Sequence, residues 1–225
     1  METTRGQAAT GLAVKTGSNT HITVRAASIQ LLIGGPYTDI RGEVHTYGHA
    51  ALRVTTDDKE RIYDFGRYAG ERGPTGQGRL RIWDNFNRYI ASQNSYKRIT
   101  RGFHYGIPHP QAEQINSHFE QLIAGRPVIK TIGEYMTEYR LANDYHALTN
   151  NCVTVAMTGA TLALPDLNHN VASHNQGRGM SFTERTAARV AGWPVHIFMP
   201  EDLQAMLSAN TECPAEKEET YGTTR

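Results

Sequence analysis

The sequence is short of several things, and each shortage excludes a class of protein. Only two cysteines, Cys152 and Cys213, occur in 225 residues. That excludes the disulfide framework that staples small secreted domains, and a chain of this length can stabilise itself through its core instead. No apolar run approaches the roughly 18–20 residues that span a bilayer. The longest, Ser28–Gly34, has the length of a strand, so no stable membrane anchor is expected. The N-terminal stretch before His21 carries an arginine but no continuous apolar segment, and no secretory signal is visible in it. An excess of charge is also missing. Lys and Arg total 23 against 22 Asp and Glu, a net charge of +1. Apart from a modest basic stretch between Arg79 and Arg101, nothing would draw the chain onto nucleic acid, which is not expected as a partner.

What is present reads as one catalytic domain over residues 20–210, between a mobile N-terminus (1–19) and a mobile polar tail (211–225). The expected class is α+β. Strand material covers His21–Arg25, Ser28–Ile33, Val44–Val54 and Arg61–Gly66, with Asp57-Asp58 at a hairpin tip between the last two. Glu71–Gly78 is glycine-rich and reads as a loop, and Arg79–Trp83 and Tyr96–His104 add strands. After Pro108 the period changes. Ile115, Phe119, Leu122 and Ile123 recur at helical spacing, a helix is expected over Ile132–Leu141, and another begins near Cys152 with Val153, Ala156, Met157 and Ala160 on one stripe. Pro165–Gly179 reads as irregular, followed by helices at Phe182–Ala191 and Glu201–Ser208.

The chemistry gathers around Cys152. If Asn150 or Asn151 caps the helix, the sulfur lies in its first turn, where unpaired N–H groups and the positive end of the helix dipole favour a thiolate. The bland alternative is a small buried hydrophobe. A nucleophilic cysteine needs a base and oxyanion donors, and helix N-terminal amides can be the donors. The candidate base is His49, flanked by Gly48 and Ala50, which leave room for another backbone. Strand alternation puts His45 and Tyr47 on the same face, so His45 competes. The returning strand carries Asp64. A two-residue turn at Asp57-Asp58 places it opposite Ala51 and diagonal to His49, where it could orient the imidazole; a three-residue loop would turn it to the other face. Tyr63 and Asn150 are weaker candidates for orienting or oxyanion roles.

This order of a His strand, a polar residue on the next strand and a later Asn-Cys helix start resembles the circularly permuted, NlpC-type branch of the papain-like cysteine hydrolases. Gly48-His49-Ala50-Ala51-Leu52 and Asn151-Cys152 carry the resemblance, over about residues 42–163. It implies an antiparallel sheet packed against a Cys-bearing helix, with Cys152 as nucleophile, His49 as general base and acid, and Asp64 as orienter. Many relatives use His, Asn or Gln at that third position. It implies no cofactor, and peptidoglycan stem peptides as substrate. The lipid-directed branch, similar to lecithin:retinol acyltransferase, remains an alternative. Its Asn-Cys-Glu-His stretch is absent, since Val153-Thr154 follows Cys152. A hydrolase of this size also resembles antibacterial toxins delivered to the periplasm of a target cell by type VI secretion. Such a toxin would be made in the cytoplasm as a monomer, with an immunity protein and a secretion apparatus as partners.

Two other classes compete. A metal hydrolase could use His45 and His49 with His169 or His174, but four strand positions separate the first two by about 13 Å, and no His-Glu-x-x-His motif occurs. A glycan- or nucleic-acid-binding module could use Trp83, Phe86, Tyr89 and Tyr96 interleaved with Arg79, Arg81, Arg88, Lys97 and Arg98. Asn150, Asn151, Tyr47 and His45 complete the candidates for substrate or oxyanion contact, and Cys213 is expected to be a bystander.

Overall fold

The computed structural model describes residues 26–38, 42, 44–68 and 73–222. The expected N-terminal segment 1–19 and the strand His21–Arg25 lie outside them. Strand β1 (Ala26–Gly34) carries consecutive apolar residues at Leu31, Leu32 and Ile33 because it is covered on both sides. Ile29, Leu31 and Ile33 enter one hydrophobic cluster and Leu32 enters another. Two short strands, β2 (Tyr37–Thr38) and β3 (Val44–His45), pair with each other. The chain then turns through Gly48, whose φ of +70° suits glycine, into β4 (His49–Thr55). A turn at Asp57-Asp58, closed by Thr56 N–H donating to the Lys59 carbonyl at 2.8 Å, leads to β5 (Glu60–Gly66). Leu52 faces Tyr63 and Thr55 faces Glu60, the register a two-residue turn imposes.

Next come β6 (Thr75–Gly76), β7 (Arg79–Trp83), α1 (Phe86–Ser95) and β8 (Thr100–Pro108). Helix α1 was not expected. Asn85 caps it by accepting from Arg88 N–H at 2.9 Å, and the strand read over Tyr96–His104 begins only at Thr100. The helix expected from Ile115 onward is α2 (His109–Ile123). The helix expected over Ile132–Leu141 is instead a hairpin of β9 (Val128–Ile132) and β10 (Met136–Arg140). Its β-branched residues and the positive φ of Gly133 prevail over a weak helical period. A short β11 (Tyr145–His146) pairs with β6 and precedes α3 (Cys152–Ala163). The stretch read as irregular holds a 3-10 turn, Pro165–Asn168, and the single-turn α4 (Val171–His174). Helices α5 (Phe182–Gly192) and α6 (Pro200–Ala209) fall where expected.

The tail expected to be mobile from Thr211 is corrected by β12 (Lys217–Tyr221), which pairs antiparallel with β8. It lacks an apolar face because it is a charged edge strand, and Tyr221 meets the Phe86 ring edge-on at 5.1 Å.

The fold is therefore α+β. Eight strands form one antiparallel sheet in the order β12-β8-β1-β4-β5-β7-β10-β9. On one face Leu52, Val54, Tyr63, Phe65 and Phe103 pack with α2, α3 and α6 through Ile115, Phe119, Ala156, Ala160 and Leu203. On the other, Leu32, Ala51, Ile62 and Trp83 pack with Tyr89 of α1. The aromatic and basic stretch read as a binding surface is divided between interior and surface, with Arg88, Tyr96 and Lys97 exposed. Trp83 and Tyr89 are buried, and Arg79 and Arg81 share the buried carboxylate of Glu138. No helix among the described residues is long and apolar enough to cross a membrane.

Candidate active site

Asn151 builds the head of α3. Its side-chain oxygen accepts from Val153 N–H at 2.9 Å and Thr154 N–H at 3.1 Å, and Thr154 Oγ1 accepts from Asn151 N–H at 2.8 Å. The Asn151 amide donates to the carbonyls of Ala147 and Phe198 at 2.5 and 2.9 Å. Both ends of this buried side chain are consumed, so Asn151 positions the helix and has no donor left for substrate. Val155 N–H takes the Asn151 carbonyl at 3.0 Å. Among the amides at this helix start, that of Cys152 alone has no acceptor within the described residues, which makes it the donor available to an oxyanion.

His49 occupies the first position of β4, where the sheet ends beside the head of α3. Its Nε2 is hydrogen-bonded to Asp64 Oδ1, and it lies close enough to Cys152 for each to shift the other's ionisation. With Nε2 on the carboxylate, Nδ1 is the ring nitrogen left for the sulfur. Burial alone would push the imidazole down, but the charges of Asp64 and Cys152 and hydrogen bonds to both outweigh it and raise the His49 pKa to about 9. For Cys152, burial opposes ionisation. The charge and hydrogen bond of His49 and the Ala50 N–H overcome it and hold the thiol below its ordinary value. Both shifts favour the thiolate–imidazolium form of the pair over the neutral one.

Asp64 is held by more than His49. Burial would raise its pKa, yet His49, the Arg81 charge and the Tyr68 hydroxyl bring it down to about 2. Tyr68 donates to Asp64 Oδ1 at 2.5 Å. Arg81 lies opposite Asp64 in the β5–β7 register, with its guanidinium 3.4 Å from the centre of the Tyr68 ring and its Nε donating to Glu138 at 2.8 Å. A polar chain, buried at Asp64 and Glu138, thus runs from His49 through Asp64, Tyr68 and Arg81 to Glu138. Tyr68 and Arg81 were not read from the sequence. The alternation of Arg79 and Arg81 on the Asp64 face was the one available signal.

The sulfur lies at the edge of a cleft of about 600 Å³. Cys152 is only 9% exposed. Tyr47, Gly48, Arg67 and Tyr145 line one part, and Met180, Glu184, Ala188, Phe198 and Met199 another. Tyr47 lies on this cleft, its hydroxyl donating to Glu184 of α5. The remaining sequence candidates fall elsewhere. His45 belongs to β3 and stacks on Tyr37 with ring centroids 4.4 Å apart, because the turn at Gly48 breaks the alternation that would have aligned it with His49. Asn150 spends its amide on the Asp144 carbonyl at 2.6 Å and does not line the cleft. Tyr63 points to the other face of the sheet and donates to Asn116 at 2.8 Å. Among the described residues no group of three or more His, Cys, Asp or Glu is placed to hold a metal ion, and His169 and His174 do not line the cleft. Cys213 lies beyond α6, outside the site.

No protein-family model, curated protein or solved structure matches the chain. The functional reading therefore rests on the geometry around Cys152.

Proposed function

We propose that this chain is a cysteine hydrolase of the permuted papain-like, NlpC type, acting on amide bonds in peptidoglycan stem peptides. The observation that carries the reading is His49, held by Asp64 through Nε2 and set at the head of α3 where it and Cys152 shift each other's ionisation. The thiolate attacks the carbonyl carbon, forming the C–S bond, and the oxyanion takes the Cys152 N–H. The His49 imidazolium passes its Nδ1 proton to the leaving amine as the C–N bond breaks. Water then gives a proton to Nδ1 and attacks the thioester, and the C–S bond breaks to restore the thiolate. Asp64 keeps the ring oriented and stabilises its charged form throughout. The cycle uses no cofactor. Delivery as an antibacterial toxin, with an immunity protein covering the cleft in the producing cell, is the biological setting its resemblance to type VI effectors supports.

A lipid-ester substrate is the second reading, favoured by the apolar part of the cleft around Met180, Ala188, Phe198 and Met199. One experiment separates the two. Wild type and Cys152→Ala, both checked for folding, are incubated with intact peptidoglycan, and released fragments are identified by mass spectrometry. Fragments from wild type alone support the amidase and locate the bond. Silence from both, with Cys152 labelled by a lipid-ester probe, transfers the reading to the lipid branch.

A further inference from the structure

The catalytic cycle leaves one charge in the cleft unused. Arg67, just beyond the end of β5, lines the cleft with Cys152. Its Nη1 is buried without a hydrogen-bond partner, and its guanidinium lies 5.4 Å from the centre of the Tyr145 ring. Other arginines of the fold are engaged by acceptors: Arg53 by Glu60, Arg61 by Glu120, Arg79 and Arg81 by Glu138, Arg98 by Gln93, and Arg178 by Asp202. Arg67 has no such acid among the described residues. A buried guanidinium N–H without an acceptor is costly, and a ligand carboxylate would satisfy it through the paired geometry that suits arginine.

The acid of the cleft is not available to Arg67. Glu184 accepts from Tyr47, and from Ser181 N–H at 2.7 Å in the α5 capping box. Tyr145 is the link between Arg67 and the nucleophile, since its hydroxyl feels the charge of both Cys152 and Arg67. Arg67, Tyr145 and Cys152 line the same cleft, so a substrate held at the sulfur lies in the cavity that the guanidinium also faces.

We propose that Arg67 binds a free carboxylate of the substrate, so that the enzyme selects peptides carrying an acidic group close to the scissile amide. This rests on the cleft being the active site of a cysteine hydrolase. It goes beyond that reading by naming the substrate's charge and the residue that reads it.

The test uses two reagents of the same shape and different charge. Cys152 is alkylated by iodoacetate and by iodoacetamide in wild type, Arg67→Gln and Arg67→Lys, and muropeptides with free or amidated carboxylates are offered to the same proteins. Arg67→Gln is expected to lower the iodoacetate-to-iodoacetamide rate ratio by about tenfold, as removal of a partly buried charge should. The iodoacetamide rate should stay within about twofold, showing an intact thiolate pair, and Arg67→Lys should keep most of the ratio. Wild type should prefer free over amidated muropeptides, and Arg67→Gln should lose that preference. An equal ratio in wild type and Arg67→Gln overturns the proposal, as does equal cleavage of both muropeptides by wild type. If no muropeptide is cleaved while the ratio still responds to Arg67, the carboxylate site stands and the peptidoglycan reading fails.

Discussion

At Cys152 the question is where the thiol proton resides, and the side chains around it answer through charge. Asp64→Asn removes the carboxylate that holds the His49 imidazolium. The alkaline limb of the pH–rate profile, expected near 9 in wild type from the raised His49 pKa, should move to lower pH in that variant, with kcat reduced more than KM is changed. A stability profile gives an independent check. The pKa of Asp64 is lowered from 3.8 to about 2, so its contribution is complete above the unfolded value and lost as pH falls toward 2. The pKa of His49 is raised from 6.5 to about 9, so its contribution is complete below 6.5 and lost as pH rises through 9. Denaturant midpoints should show the largest gap between wild type and Asp64→Asn in the window between those limits. Unchanged gaps across pH would contradict the ion-pair account. Tyr68→Phe removes a hydrogen bond to a charged group, worth about 1.5–3 kcal/mol, and kcat is expected to fall by at least about tenfold with thiol alkylation still rapid. Cys152, His49 and Asp64 were legible because each lies in a short local pattern, and the hairpin arithmetic between Val54 and Arg61 put His49 and Asp64 on one face. Tyr68 and Arg81 were not, because their contact with Asp64 depends on the loop after β5 and on a register between strands remote in sequence.

Among the elements, the head of α3 carries the greatest functional weight. Asn151→Ala deletes the acceptor for two helix amides and the donors to Ala147 and Phe198. The capping loss alone is about 1–2 kcal/mol, and the thermal midpoint and the Cys152 alkylation rate should fall together, since the sulfur depends on the same geometry. Gly159 in the middle of α3 is a packing requirement. A Cβ there would stand 2.7 Å from both Leu52 Cδ2 and Phe119 Cε2, so Gly159→Ala is expected to destabilise the fold by about 1–3 kcal/mol despite alanine's better helix propensity. Elements with a strong period, α2, α3, α5 and α6, were legible. The β9–β10 hairpin was not, because β9 is mostly exposed and offers no clean alternation, and α1 was masked by aromatic residues that equally suit a strand.

For the whole molecule, the sheet carries the site, and its far edge is closed by the last ordered strand. β12 contributes backbone pairing along β8, with Glu219 accepting from His104 at 2.6 Å. Nothing in the polar composition of Thr211–Arg225 announced this, because a charged edge strand is stabilised by its neighbour rather than by a hydrophobic face. Truncation before Thr211 is expected to lower stability and, by baring the β8 edge, to promote association detectable by light scattering. The catalytic claim itself rests on the link between two ends of the fold, the first residue of β4 and the first residue of α3. It is tested most directly by the rate of Cys152 alkylation with iodoacetamide as a function of pH, in wild type and His49→Ala. The wild-type thiol should react as a thiolate well below its ordinary pKa of 9.0. His49→Ala should be slower at neutral pH, with its reactivity rising only toward that ordinary value. Superimposable profiles would show that His49 does not ionise Cys152, and the account of the site would fall with them.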